Sequence, residues 1–170
     1  MQQVGKIAWV LFKTLVFTVL VPGTVGFWIP ARIIARTQPP GLAHASAAEL
    51  FFGRFLFLAG VLIYCWCAWD FSVKGLGTPA PIDAPKNLVV NGLYRLVRNP
   101  MYTGVAAMIL GKAAAFRSPA VLFYLAAALA CCHLFIVFYE EPHLRKIFGE
   151  QYRQYCRRVP RWLPVLRGAQ

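Results

Sequence analysis

Pro119-Ala-Val-Leu-Phe-Tyr-Leu-Ala-Ala-Ala-Leu-Ala-Cys-Cys-His-Leu-Phe-Ile-Val-Phe-Tyr139 runs for 21 residues without a charged side chain. At 1.5 Å rise per residue such a run spans a bilayer core about 30 Å thick. Lipid offers no partner to a backbone N–H or C=O, so a run of this kind must be helical. Working outward, Ile7–Trp28 and Leu50–Trp69 have the same character and length, and Pro100–Phe116 is a few residues short. Apolar residues make up 59% of the 170, against roughly 45–50% in a soluble domain. These stretches predict an all-α integral membrane protein of one domain, with four transmembrane helices. The last two form a hairpin turning at Arg117-Ser118-Pro119.

The net charge is +12, from 18 Lys and Arg against 6 Asp and Glu. The basic residues flank hydrophobic spans, so anionic headgroups and topology explain them, and no groove for nucleic acid is visible. With both termini inside, Lys6, four basic residues of 70–99 and seven of the C-terminal tail face the cytoplasm, twelve in all. Arg32, Arg36, Lys112 and Arg117 then face outward, and the positive-inside rule prefers that orientation. The first span is longer than a signal-peptide core and no small-residue cleavage site follows it, so it reads as a retained helix. Cysteines 65, 67, 131, 132 and 156 make no C-x-x-C. They imply no disulfide framework and read as small buried hydrophobes.

Punctuation sets the remaining boundaries. Lys13 lies where it can snorkel to the interface, and Pro22 predicts a kink. Residues 29–49, with Pro30, Pro39, Pro40 and Gly41, read as a connecting segment, and Trp66 and Trp69 as interfacial anchors. Asp70–Asn99 carries Gly75, Gly77, Pro79, Pro81 and Pro85, too many breakers for regular structure. Asn99 is a good N-cap and Pro100 suits the first helical position, so a helix is predicted to start there. After Glu140-Glu141-Pro142 the pattern changes. Leu144, Ile147, Phe148, Tyr152 and Tyr155 recur at helical spacing among Arg145, Lys146, Arg153, Arg157 and Arg158. That is a basic amphipathic helix on the membrane surface or over the bundle, ended by Val159-Pro-Arg-Trp-Leu-Pro164.

Two features point to chemistry. Glu140 and Glu141 are adjacent carboxylates closing a hydrophobic span, where ionisable groups are costly. As caps of a helix C-terminus they oppose the macrodipole and need cationic partners such as Arg95, Arg98 or the tail arginines. The plain alternative is a helix end at the headgroups. Arg98-Asn99-Pro100-Met-Tyr102-Thr-Gly104 puts a cation and free N–H groups at a helix start, an anion site in the making, or else a simple headgroup contact. Gly104, Ala107, Gly111 and Ala114–Ala115 form a small-residue stripe that suits close helix packing or room for a ligand. His133 reads as packed in the bundle, and His44 and His143 as solvent or interface residues. No His, Cys, Asp and Glu spacing resembles a metal site, and no G-x-G-x-x-G follows a strand pattern, which excludes a soluble dinucleotide or Rossmann-type methyltransferase domain.

Taken together, Gly75-x-Gly77-Thr-Pro, Gly92-Leu-Tyr-Arg-x-x-Arg-Asn-Pro-Met-Tyr-x-Gly104, a helical hairpin, Glu140-Glu141-Pro-x-Leu, Phe148-Gly-x-x-Tyr152-x-x-Tyr155 and Val159-Pro-Arg-Trp162 resemble the membrane-embedded isoprenylcysteine carboxyl methyltransferase and phospholipid N-methyltransferase family. The resemblance covers about residues 70–164, leaving 1–69 as two scaffold helices. It implies S-adenosylmethionine as cofactor and a lipophilic acceptor, a carboxylate, amine or similar group, entering from the bilayer. It further implies that Tyr94, Arg98, Asn99, Pro100, Tyr102, Gly104, Glu140 and Glu141 bind the cofactor, with Glu140, Glu141 and Arg98 as the catalytic candidates. The isoprenylcysteine enzymes commonly carry His at the position of Asn99, and Asn does not titrate near neutral pH, so the resemblance implies no proton transfer there. A non-enzymatic membrane protein retaining the fold is the competing reading. A transporter is disfavoured because the polar residues gather at one interface rather than at mid-membrane.

Overall fold

A computed structural model of the chain describes residues 2–38, 45–78 and 85–164; the expectations about Pro39, Pro40, Gly41, His44, Pro79 and Pro81 lie outside the described residues. Helix α1 covers Gln2–Leu20 and stops two residues before Pro22, whose ring and missing N–H disfavour a continuous helix. The chain then passes through a π turn, Thr24–Trp28, into α2, Ile29–Thr37. This corrects the expected connecting segment from residue 29. Pro30 falls in the first turn of α2, where a missing N–H breaks no helical bond, and the wider turn before it is closed by the Ile29 N–H bonding Thr24 O.

Helix α3 is Ala47–Lys74, longer at both ends than the hydrophobic run. Ser46 and Glu49 form a reciprocal capping box at its start. At its end Asp70 accepts from Lys74 Nζ at 2.7 Å, one turn on. Helix α4 is Pro100–Ala115 and α5 is Pro119–Phe135, as the hairpin reading predicts. The expected stop at Glu140-Glu141-Pro142 is overturned. A second π turn, Ile136–Glu140, leads directly into α6, Glu141–Arg158, so the chain stays helical from residue 119 past Pro142 and first kinks at Gly149. A proline in a helix clashes with the carbonyl four residues back. The widened turn, closed by the Glu141 N–H on Ile136 O, lets the helix pass Pro142. Only Gly149 departs from helical angles within α6 (φ 53°, ψ −125°).

Among the described residues, three helical stretches are long and apolar enough to cross a bilayer: Ile7–Thr37, Ala47–Lys74 and Pro119–Arg158. Their large side chains face outward, with Leu62 70%, Phe123 79% and Phe138 75% exposed, as lipid-facing surfaces require. The shorter α4 is enclosed by α3, α5 and the segment after Pro22. Glycines set its approach to α3. A Cβ on Gly60 would lie 2.5 Å from Gly104 O, and one on Gly53 would lie 2.6 Å from Gly111 O. The small-residue stripe is therefore a packing face, and the antiparallel pair repeats every seven residues on both helices. Thr14–Ser72 and Thr18–Tyr64 hydroxyl pairs, each 2.9 Å, join α1 to α3. Of the five free cysteines only Cys67 is buried, and Cys65 and Cys131 are exposed, which corrects the reading of all five as interior.

Candidate active site

The site begins with a tight turn. Gly92 adopts φ +57°, and a Cβ there would meet Asp70 Oδ2 at 2.4 Å, so only glycine fits. The 3₁₀ turn Gly92–Arg95 that follows turns Tyr94 inward. The Tyr94 carbonyl accepts from the Tyr155 hydroxyl at 2.7 Å, and burial pushes the Tyr94 phenol well above its ordinary pKa, so it stays protonated. Arg98 and Asn99 then enter α4. Asn99 stands at the N-cap position, but its side chain does not cap. It donates to Arg161 O at 3.2 Å, while the Asn99 backbone carbonyl accepts from the Thr103 backbone N–H and hydroxyl.

The adjacent glutamates part company. Glu141 is buried and held by three arginines. Arg161 binds it through both oxygens (Nε–Oε1 2.7 Å, Nη2–Oε2 3.1 Å), Arg98 Nη1 donates at 3.0 Å, and Arg145 Nη2 at 3.4 Å. Hydrogen bonding to Glu141 in turn raises the pKa of the Arg161 guanidinium. Arg98 Nη1 also donates to Cys156 Sγ, and Arg98 Nε is buried with no partner among the described residues. Glu140 takes the other direction. Its Oε2 accepts from the Tyr102 hydroxyl at 3.0 Å, and no arginine among the described residues pairs with it.

Two cavities meet at this point. The smaller, about 90 Å³, carries a larger polar share in its lining than its neighbour and lies between α6, the 85–98 segment and the π turn Ile136–Glu140; Tyr94, Tyr139, His143, Glu141 and Tyr152 are among its walls. The larger, about 480 Å³, lies among the helices and is walled mostly by apolar groups, including Phe17, Val25, Val105, Ile109 and Ala128. Arg98, Asn99, Tyr102, Phe135 and Glu140 line both.

Of the eight candidate residues, Tyr94, Arg98, Asn99, Tyr102 and Glu140 stand at the junction. Glu141 lines the smaller cavity and Pro100 the larger. Gly104 lines neither; it packs on Gly60 and Tyr64 of α3, so its place in the motif is explained by helix contact. Glu141 and Cys156 both engage Arg98 through Nη1, and its Nε is left without a partner among the described residues. The 1–69 segment, expected to be scaffold, contributes Phe17, Val21, Val25 and Tyr64 to the larger cavity. His133, expected to pack in the bundle, accepts from Trp162 Nε1 at 3.1 Å. Arg161 is one of the tail arginines expected to pair with the two glutamates, but no local pattern signals its contact with Asn99 or that of Trp162 with His133, 62 and 29 residues away. Among the described residues no cluster of three metal-binding side chains occurs.

Residues 48–151 match the family described as phospholipid methyltransferase. Protein-S-isoprenylcysteine O-methyltransferase B of Arabidopsis thaliana is 33% identical over 81 residues, 46% of this chain and 40% of the relative. Phosphatidylethanolamine N-methyltransferase of Pyrenophora tritici-repentis is 40% identical over 74 residues, 42% of this chain and 8% of the relative. The chain thus spans two fifths or less of the length of these curated relatives. No solved structure matches it significantly.

Proposed function

The chain belongs to the phospholipid methyltransferase family, and from that premise we propose that it transfers a methyl group from S-adenosylmethionine to a lipophilic acceptor drawn from the bilayer. The observation that carries the proposal is the meeting of a small cavity that holds the charged and hydroxyl groups of the site with a larger, more apolar one at Tyr102 and Glu140. A water-soluble donor and a lipid-soluble acceptor need such an arrangement, since each must enter through a different medium.

The residues suit the cofactor. When bound, it supplies an electrophilic methyl group on a sulfonium. A buried guanidinium N–H without a partner costs about 1–3 kcal/mol, so Arg98 Nε is a ready donor to the cofactor carboxylate. Glu140, unpaired by arginine, suits the ammonium or the ribose hydroxyls. Tyr94 and Tyr139 offer aromatic faces to adenine. Methyl transfer needs aligned reactants and exclusion of water. Here the Glu141–arginine cluster holds the α4 start against the α5–α6 junction, and the apolar cavity keeps the acceptor side dry. An amine acceptor must also lose a proton, which Glu140 is placed to accept; a carboxylate or thiolate acceptor needs no base. The charge asymmetry favours this junction facing the cytoplasm, with both termini on that side.

Calorimetric titration of purified protein with S-adenosylmethionine tests the reading. Micromolar binding is expected, and folded protein without detectable affinity overturns it. Incubation with methyl-labelled cofactor and a total lipid extract then identifies the acceptor class by the label's destination.

A further inference from the structure

The C-terminal strap after α6 lies outside the residues that match the family, yet it is stitched across the candidate site. Pro160 O accepts from Arg98 N at 2.8 Å, and Arg161 O accepts from Asn99 Nδ2. The Arg161 guanidinium grips Glu141. Trp162 is the next contact. Its Nε1 donates to His133 Nδ1 on α5 at 3.1 Å, its ring lies 6.2 Å from that imidazole, and it meets the Tyr102 ring edge-on at 6.5 Å. Trp162 and His133 line neither cavity, so they do not touch a ligand there. They stand behind Tyr102, whose hydroxyl holds Glu140.

We infer that Trp162, latched to His133, is a positioning residue for the Tyr102–Glu140 pair. This rests on the methyltransferase reading of that pair. The indole fills the space beside the Tyr102 ring, and its N–H accounts for the His133 lone pair. The latch fixes one Tyr102 rotamer between α4 and α5. Without it the tyrosine ring loses its lateral support and Glu140 its hydroxyl partner. The arginine cluster on Glu141, which depends on Arg161 and not on Trp162, stays in place, and Glu140 keeps the charge that serves the cofactor, so the latch governs turnover rather than cofactor retention.

The test uses the full chain and four variants. Asn at position 133 places an amide oxygen where Nδ1 stands, so His133→Asn keeps the acceptor, whereas His133→Leu removes it. Trp162→Ala removes the donor and the ring, and His133→Leu with Trp162→Ala removes both partners. Hydrogen exchange of the backbone over 161–163 is expected to rise in His133→Leu and Trp162→Ala and to stay at the wild-type rate in His133→Asn. Turnover should fall about tenfold to a hundredfold in the first two, the scale of loss for displacements of ~1 Å. Affinity for S-adenosylmethionine should hold, and the double variant should be no worse than Trp162→Ala alone. Unchanged exchange in His133→Leu overturns the latch, and raised exchange with wild-type turnover overturns its role. Wild-type protein that binds no cofactor would sink the methyltransferase reading and the role with it, while the exchange data still decide whether the latch exists.

Discussion

Glu140 and Glu141 share a peptide bond and a side-chain type, and their surroundings give them different work. Glu141 meets three guanidinium groups and is largely neutralised; Glu140 meets one phenol and faces both cavities. Replacing each by glutamine separates the two. Glu141→Gln leaves arginines facing one another at a buried site, and breaking a buried ion pair costs about 3–5 kcal/mol. Its signature is a lowered thermal midpoint in detergent. Glu140→Gln keeps an oxygen for Tyr102 but loses the charge, so the midpoint should hold. A charge-assisted hydrogen bond contributes about 1.5–3 kcal/mol, so cofactor affinity measured by calorimetry should weaken about tenfold to a hundredfold. The reverse pattern would assign the structural role to Glu140. That the two carboxylates matter was legible from their place at a span end. Which of them faces the cavities was not, because the answer lies with Arg161, 20 residues on, and Tyr102, 38 residues back.

Among the elements, α4 shows how much a local pattern carries. Asn99-Pro100 marked its start correctly, because proline at the first helical position is favoured by its own backbone geometry. The Ser46-x-x-Glu49 capping box was equally local, and it starts α3 within the region expected to be a connection. Pro30 and Pro142 misled because a proline's effect depends on the turn before it, and both follow a π turn that makes room for the ring. The α3–α4 contact is the element most exposed to a single substitution. Gly60→Ala would put a methyl 2.5 Å from Gly104 O and 2.7 Å from Met108 N, backbone atoms that cannot swing aside. Overpacking of this kind costs about 1–3 kcal/mol, read as a lower thermal midpoint. Gly5→Ala, with nothing within 4 Å, should leave the midpoint unchanged and serves as the control.

At the scale of the whole molecule, the helices enclose a cavity of about 480 Å³ beside a smaller one of about 90 Å³. Filling the larger should obstruct the acceptor and spare the cofactor. Ala128→Phe, on the wall formed by α5, is expected to raise the acceptor KM about tenfold, the loss corresponding to about 1.4 kcal/mol of binding. S-Adenosylmethionine affinity should stay at the wild-type value. Equal losses of both would mean that the two cavities act as one site.

The amino-acid sequence by itself determined the medium, the all-helical class, the hairpin of α4 and α5 and the start of α4. These follow from hydrophobic length and from caps, which act within a few residues of chain. The tertiary structure alone decided that the carboxylate pair is divided between an arginine cluster and a cavity junction. It also decided that the glycine stripe packs on α3 and that the C-terminal strap reaches back to Asn99 and His133. Those outcomes depend on which helix faces meet, and contacts between residues 20 to 62 positions apart are set by packing, which no local pattern encodes.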